Sequence, residues 1–339
     1  MALSFGLRVP TQGKPQETAA YAARLESAGF DFMWMPDTPL LAGYWRDVYI
    51  HLTCAALATT TLRLGPGVTN PLTRHPVTTA SILLTLDEVS AGRADLVAGT
   101  GYSSAYIIGK KAATLATMQQ ATTLWRSVFQ GQKTELGGLE ITLPTPHPRL
   151  PIYLAASGPK MLALAGEIAD GVLISVGAAP GAVAWALQHI ETGMHRAGRQ
   201  RHEVRRIVVV QAMIDDNKAR AIDHMRPCAA GLYRHQHAST LFEAAGLPSP
   251  PVLSGTFPRP YPDLGHAVDW DAAKRASTFV SDAAVEAMLC VGSGAEVADK
   301  AQALAALDID AIWWRDEASY TRPDALLHGL EKAVLPRLR

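Results

Sequence analysis

Four short segments of the sequence combine hydroxyl, carboxyl, imidazole or phenol side chains with glycine or proline. They are residues 35–38, 67–76, 99–104 and 156–160, and each follows or ends a run of apolar residues typical of a buried strand. Glycine lets a ligand approach the backbone, hydroxyls donate and accept hydrogen bonds, and carboxyl, imidazole and phenol groups exchange protons. These segments are therefore candidates for binding a small molecule and for proton transfer.

The clearest anion-binding pattern is Ser157-Gly158-Pro159-Lys160, which opens a predicted helix. A hydroxyl cap, a glycine and a proline in the first turn leave backbone N–H groups available, and the helix dipole favours a phosphate there. Lys160 adds a positive charge. The alternative is an ordinary capped helix with an exposed lysine. The glycines and serines of residues 99–104 likewise predict either a phosphate site or a turn.

Three residues are candidates for proton transfer: Asp37, His75 and Tyr102. Asp37 follows the second predicted strand, so we expect it at the mouth of a cavity, acting on the ligand and not in folding. His75 precedes a proline, and the alternative to proton transfer is that it orients its loop.

Histidine and cysteine spacing gives no sign of a metal site or a disulfide framework. The three cysteines, Cys54, Cys228 and Cys290, are far apart and lack a CxxC pair, which favours a reducing compartment. His235 and His237 have no third ligand nearby, so two solvated histidines are the preferred interpretation. We therefore predict that no metal is bound.

The overall composition favours a small-molecule partner. Hydrophobic residues make up 48%, and 31 Lys and Arg balance 31 Asp and Glu, so no net charge attracts nucleic acid or an anionic membrane. The first residues lack the pattern of a signal peptide. The uncharged stretch at 171–187 is interrupted by Gly177, Pro180 and Gly181 and is too short to span a bilayer. We predict a cytoplasmic protein that binds neither nucleic acid nor a membrane.

The elements that must position these residues are strands alternating with helices. Eight runs have the composition of strands buried on both faces: 3–9, 30–35, 62–68, 94–100, 152–157, 171–175, 206–212 and 311–315. Repeated βα units of this number close naturally into a barrel. An open doubly wound sheet is the rival, but its usual GxGxxG is missing after the first strand. We therefore predict an α/β fold, a (β/α)8 TIM barrel in a single domain over 1–339, with its active site at the C-terminal mouth.

Residues 233–279 break the alternation. This region is dense in proline and aromatic residues and has no sustained period. Long insertions in a compact domain are usually binding loops or lids. We predict an insertion in the C-terminal third that acts as a substrate lid, the alternatives being a surface excursion or an oligomer contact.

Two longer stretches resemble the luciferase-like monooxygenase superfamily. They are GVTNPLTRHPVTTA at 67–80 and ASGPKMLALAGEIADGVLI at 156–174, and each joins a strand end to the adjoining helix. The resemblance is greatest to the branch that contains methylenetetrahydromethanopterin reductase and deazaflavin-dependent alcohol dehydrogenase. It extends loosely over nearly the whole chain, excluding the insertion.

The resemblance implies a set of cofactor-binding residues. In the family, the segment that corresponds to GVTNP contains a non-prolyl cis peptide whose bulge presses against the cofactor ring, and here that bond is Gly67–Val68. The implied ring and phosphate contacts are Gly67, Val68, Thr69, Asn70, Gly101, Tyr102, Ser103, Ser157, Gly158, Pro159 and Lys160.

The implied activity is that of a flavin- or deazaflavin-dependent oxidoreductase. Its cofactor would be coenzyme F420, with a hydride passing between the deazaflavin and a small organic substrate. Residues 99–105 contain no counterpart of the glutamate that some pterin-reducing members carry, so a pterin substrate is not implied. One alternative is a monooxygenase that uses reduced FMN and dioxygen, with a separate flavin reductase as partner. A non-catalytic flavin-binding protein is another, against which the complete strand count argues. The expected assembly is a homodimer.

Overall fold

The chain folds around a barrel of parallel strands. A computed structural model describes residues 3–143, 147, 150–234, 236–251, 264–317 and 320–339, with the backbone alone for Leu136 and Arg234. The strands are β1 (Ser4–Arg8), β2 (Phe32–Met35), β3 (Arg63–Pro66), β4 (Leu96–Ala98), β5 (Thr134–Leu136), β6 (Leu139–Ile141), β7 (Ile152–Ala156), β8 (Gly171–Ile174), β9 (Arg205–Ile214), β10 (Cys290–Gly292) and β11 (Ala311–Arg315).

The helices surround these strands. They are α1 (Pro15–Ser27), α2 (Val48–Leu57), α3 (Pro76–Val89), α4 (Tyr102–Ile107), α5 (Leu115–Phe129), α6 (Pro159–Ile168), α7 (Pro180–Arg196), α8 (Lys218–Ala230), α9 (Ala238–Ala244), α10 (Trp270–Ala276), α11 (Asp282–Met288), α12 (Gly294–Ala305), α13 (Asp324–Gly329) and α14 (Leu335–Leu338). Short 3-10 turns lie at Leu41–Gly43, Arg201–Glu203, Gly231–Arg234 and Leu264–His266, and a π-helical turn lies at Leu330–Val334. None of the described helices is long and apolar enough to cross a bilayer.

Eight parallel strands form a nearly closed ring. Their order is β3-β2-β1-β11-β9-β8-β7-β4, so strands consecutive in the βα series are neighbours. Two isolated parallel bridges, Leu64 with Ala94 and Thr69 with Ala98, bring the β3 and β4 ends of the sheet together. This arrangement confirms the predicted TIM-barrel fold. All eight predicted strands are present, although their bounds are shorter at several ends.

The barrel strands are buried on both faces, as their apolar composition predicts. Side chains of alternating positions point inward or toward the helices, which produces two apolar cores. The inner core contains Phe32, Trp34, Val97, Tyr153, Leu173, Ile207, Ala311 and Trp313. The indole N–H of Trp34 donates to Asp95, 2.9 Å away, and Asp95 pairs with Arg63 at 2.6 Å. A buried carboxylate is thus partnered inside the barrel, as its desolvation requires.

Three strands lie outside the predicted set. β5 and β6 form an antiparallel hairpin around Gly137 and Gly138, and β10 pairs in parallel with the last residues of β9. β10 contains only three residues, which is too short for a hydrophobic period to be recognised.

The described part of the predicted insertion contains α9, α10 and the turn Leu264–His266. Residues 252–263 lie outside the described residues, and so does His235 of the histidine pair. The lid function of this region and the single-domain organisation stay predictions.

Candidate active site at the barrel mouth

A cavity of about 300 Å³ opens at the C-terminal ends of the barrel strands. Its size falls at the lower end of the range for small-molecule sites. Six of the residues predicted from the sequence line it: Gly67, Val68, Gly101, Tyr102, Ser103 and Ser157. The strand-end rule therefore brings residues that are far apart in the chain to one place.

The Gly67–Val68 peptide bond is cis, as predicted, and both residues line the cavity. A Cβ atom at Gly67 would lie 2.6 Å from Cβ of Trp34 and 2.9 Å from Cζ2 of Trp313. Only glycine fits between these two aromatic residues. A Cβ at Gly99 would lie 3.0 Å from Cγ2 of Val68, so the Val68 side chain is packed against the end of β4. Together these residues form a firm apolar wall on one side of the cavity.

Asp37 does not line the cavity, contrary to its predicted place at the cavity mouth. Its carboxylate is 2% exposed, accepts a hydrogen bond from the Thr69 hydroxyl at 2.7 Å and pairs with Arg74 at 3.2 Å. Burial raises the pKa of Asp37, and Arg74 and the Thr69 hydroxyl only partly offset that effect. This environment corrects the expectation that Asp37 plays no part in folding: the carboxylate ties the end of β2 to the loop after β3. The proton-transfer role of Asp37 stays a prediction, and its side chain does not line the cavity.

Thr69 and Asn70 also face the protein and not the cavity. The Asn70 carboxamide accepts from the backbone N–H groups of Leu72 and Thr73 and donates to the Ser104 hydroxyl at 2.9 Å. A Cβ at Gly101, where φ is +79°, would collide with the Asn70 side chain. These contacts hold the loop after β3 against the segment after β4. In this geometry Thr69 and Asn70 hold the loops around the cavity in place and do not line the cavity themselves.

His75 lies outside the cavity at the start of α3. Its Nδ1 accepts a hydrogen bond from the Val77 N–H at 3.3 Å, which caps the helix. The structure thus places His75 where the loop-orienting alternative put it. Tyr102 is different, because it lines the cavity with 56% of its surface exposed.

The predicted phosphate segment is only partly directed into the cavity. Ser157 lines it, Gly158 is the N-cap of α6 and Pro159 occupies the first turn, whereas Lys160 is exposed and lines no part of it. A Cβ at Gly158 would lie 3.2 Å from Cδ2 of His237, so the insertion covers this helix start. Ser157 and residues 101–103 line the same cavity, and the phosphate site itself stays a prediction.

The structure adds lining residues that the sequence analysis missed. Arg8 ends β1 and Arg315 ends β11, and both line the cavity. The rings of Tyr44 and Tyr320 stack at 4.7 Å, and the Tyr320 hydroxyl donates to the carbonyl of His266 at 2.8 Å. The two arginines could have been found from the sequence, because they lie at strand ends as Gly67 does.

The donor set fits a cofactor with a flat ring and a phosphate. Val68 provides an apolar side chain for a ring to pack on, and Thr100, Ser103, Ser104 and Ser157 line the same cavity. Within the described residues, the lining contains no Asp or Glu that would repel a phosphate. No cluster of metal ligands occurs in the described ranges either.

Comparison with known proteins agrees with this geometry. The sequence profile of the luciferase-like monooxygenase family matches residues 3–311. The chain belongs to the luciferase-like monooxygenase family. Its family membership makes it a flavin- or deazaflavin-dependent oxidoreductase.

Several relatives within this family are named for coenzyme F420 or for pterin reduction. A 5,10-methylenetetrahydromethanopterin reductase of Archaeoglobus fulgidus is 34% identical over 229 residues, which cover 65% of this chain and 67% of the relative. An F420-dependent glucose-6-phosphate dehydrogenase of Nakamurella multipartita is 28% identical over 249 residues, covering 67% of this chain and 73% of the relative. The structure of the F420-dependent tetrahydromethanopterin reductase of Methanopyrus kandleri superposes with a TM-score of 0.78 over 100% of both chains at 24% identity. That likeness supports the fold.

Proposed function

We propose that this luciferase-like protein transfers a hydride between coenzyme F420 and a small organic substrate. The observation that carries the proposal is the shared cavity, which Gly67 and Val68 line together with Ser157 and residues 101–103. Two relatives named as F420-dependent glucose-6-phosphate dehydrogenases, at 28% and 25% identity, support the cofactor assignment. The site would hold the deazaflavin ring against Val68 and its phosphate at the start of α6.

When bound, the deazaflavin supplies the two-electron chemistry, and the protein supplies position and environment. Val68 and the packed Gly67 would hold the ring against this wall of the cavity. The stacked rings of Tyr44 and Tyr320 line the same cavity. Tyr102 lines the cavity and is the predicted proton-transfer residue that could reach a ligand directly.

Binding of F420 and FMN to the purified protein tests the cofactor assignment. Fluorescence titration of the two cofactors should show F420 bound at least about tenfold more tightly, a difference of about 1.4 kcal/mol. Tighter binding of FMN, with dioxygen consumed when reduced FMN is supplied, would support the monooxygenase alternative instead. Absence of turnover with any acceptor despite tight binding would favour the non-catalytic alternative.

The phosphate position is tested by a charge placed at Gly158. Gly158→Asp would set a carboxylate beside the bound phosphate and should weaken F420 binding by at least about tenfold. Gly158→Asn is the matched control, because it has the same shape and meets the same His237 ring. Equal affinity of the two folded variants would show that the phosphate does not lie at this helix start.

A further inference from the structure

We propose that Arg8 and Arg315 form an anion-binding pair that holds the carboxylate of a small organic acid substrate. This inference rests on the proposed function and deepens it by naming a substrate class. It concerns the side of the cavity away from the cofactor phosphate.

The two arginines are neighbours by strand register. β1 pairs with β11 in parallel, and the last registered pair is Leu7 with Trp314. Arg8 and Arg315 therefore lie one step beyond it, on strands whose backbones are about 4.8 Å apart. Leu7 and Trp314 pack into the outer core, so alternation directs the next residue of each strand into the barrel mouth. Both arginines line the cavity accordingly.

The pair lies opposite the predicted phosphate site. In the ring of strands, β2 and β3 separate β1 from β4, while β9 and β8 separate β11 from β7. The segments after β4 and β7 carry residues 101–103 and Ser157. A cofactor phosphate bound there would leave the arginines at the far wall, where they could contact a substrate.

The local charge favours an anion. Arg8 is 6% exposed, and burial followed by the charge of Arg315 lowers the pKa of its guanidinium to about 9, although the charge of Asp316 opposes this. Within the described chain, no carboxylate lines the same cavity, and Asp316, which follows Arg315, is buried outside the lining. A guanidinium has five N–H donors, so each arginine can keep its contacts with the protein and still bind a ligand. A planar carboxylate matches this fork and can accept two parallel hydrogen bonds from it.

Pairs of acids and amides of one shape test the inference on the wild-type protein. The probes are isobutyrate with isobutyramide and benzoate with benzamide, measured by thermal shift and calorimetry with and without F420. We expect at least one acid to bind about tenfold or more tightly than its amide. Equal binding of acid and amide, or no binding of either, would overturn the proposal, as would a preference for methylphosphonate over the acids.

Variants then assign the preference to the pair. Arg315→Gln and Arg8→Gln should each weaken acid binding by about tenfold or more and leave amide binding unchanged. Arg315→Lys keeps the charge but loses the fork, so it should give an intermediate loss and also serves if Arg315→Gln does not fold. Arg46→Gln, which removes a cation that does not line the cavity, is the control and should retain the preference.

The cofactor is measured separately so that the two proposals can fail independently. F420 affinity of the arginine variants should stay within about threefold of wild type. A loss of F420 affinity as large as the loss of acid affinity would assign the arginines to the cofactor and overturn the inference. If F420 does not bind at all, the proposed function fails, whereas the preference of the cofactor-free protein for acids over amides still tests the arginine pair.

Discussion

Asp37 and Tyr102 were both predicted as proton-transfer residues, yet their environments differ sharply. Asp37 is buried between Thr69 and Arg74, whereas Tyr102 is more than half exposed and lines the cavity. A residue that carries a proton to substrate must come within hydrogen-bond distance of it. Tyr102 lines the cavity in which a ligand would bind, whereas Asp37 does not line it and contacts the loop after β3.

Replacing Asp37 should therefore mainly lower stability, whereas replacing Tyr102 should mainly lower turnover. Asp37→Asn should lower the free energy of unfolding by about 2 kcal/mol, less than the usual cost of breaking a buried ion pair because Arg74 keeps Asp47 as a partner. Tyr102→Phe should leave stability nearly unchanged and lower turnover by about 10²–10⁴-fold if Tyr102 transfers the proton. Urea unfolding and single-turnover rates measure the two effects. A large loss of turnover in an Asp37→Asn protein of unchanged stability would indicate that Asp37 itself takes part in proton transfer.

Asp316 predicts a pH dependence of stability. Burial, and then the nearby Glu317, raise the pKa of its carboxyl to about 7, although Arg8 and Arg315 oppose this. A carboxyl whose pKa is higher in the folded than in the unfolded state stabilises the fold at low pH. That contribution is lost as pH rises from about 4, the unfolded value, to about 7, by up to about 1.4 kcal/mol per pH unit.

Asp316→Asn should remove this contribution to the change of unfolding free energy with pH. The measurement is urea unfolding of wild type and variant at several pH values between 4 and 8, with the exposed Asp271→Asn as control. The unfolding free energy of wild type should fall relative to that of the variant as pH rises. A difference that does not depend on pH would show that Asp316 is not protonated in the folded protein.

At the scale of elements, Glu26 links α1 to the start of β3. Its carboxylate accepts hydrogen bonds from the backbone N–H groups of Thr60, Thr61 and Leu62. Partial burial opposes ionisation, but these donors outweigh it and lower the pKa of Glu26 to about 2. The stabilisation is therefore present above about pH 4.5 and is lost as pH falls toward 2.

Glu26→Gln should destabilise the protein by about 1–2 kcal/mol at pH 7, because a neutral oxygen is a weaker acceptor for several donors. The difference in unfolding free energy between this variant and wild type should be smaller at pH 3 than at pH 7. Chemical unfolding at both pH values measures it, and Glu88→Gln, on an exposed position of α3, is the control. Equal stability of the Glu26→Gln variant and wild type at pH 7 would mean that this carboxylate does not fix the entry to β3.

The elements differ in how far the sequence reveals them. The barrel strands were predictable because burial on both faces demands continuous apolar runs, as in β9. The hairpin had a signal in Gly137-Gly138, whose positive φ angles suit a tight turn, but its strands are short. Within the site, Val68 and Ser157 could be located from strand ends. Which strand-end side chains turn away, as Thr69 and Asn70 do, depends on the contacts of the folded loops.

At the scale of the whole molecule, the two apolar cores are separated by the strand ring, and the site lies where the inner core meets solvent. Trp313 belongs to the inner core and also lines the cavity. Packing of the barrel interior and shape of the site are therefore coupled. Substitutions at Gly67, which touches this residue and Trp34, would affect both.

The ring of strands is not equally strong all the way round. β9 and β11 are paired over five residues, whereas β3 and β4 meet only at two isolated bridges, one of them between Thr69 and Ala98. Local opening of the native state should therefore begin at this meeting point, and the amides of Thr69 and Gly99 should exchange with deuterium about tenfold or more faster than those of β11. Val68 lies beside this place, so a bound ring that packs on it would slow the exchange selectively. Amide exchange followed by mass spectrometry would thus report cofactor occupancy at the place where the barrel is most weakly paired. Equal exchange rates at all strands of the ring would contradict the prediction that opening begins between β3 and β4.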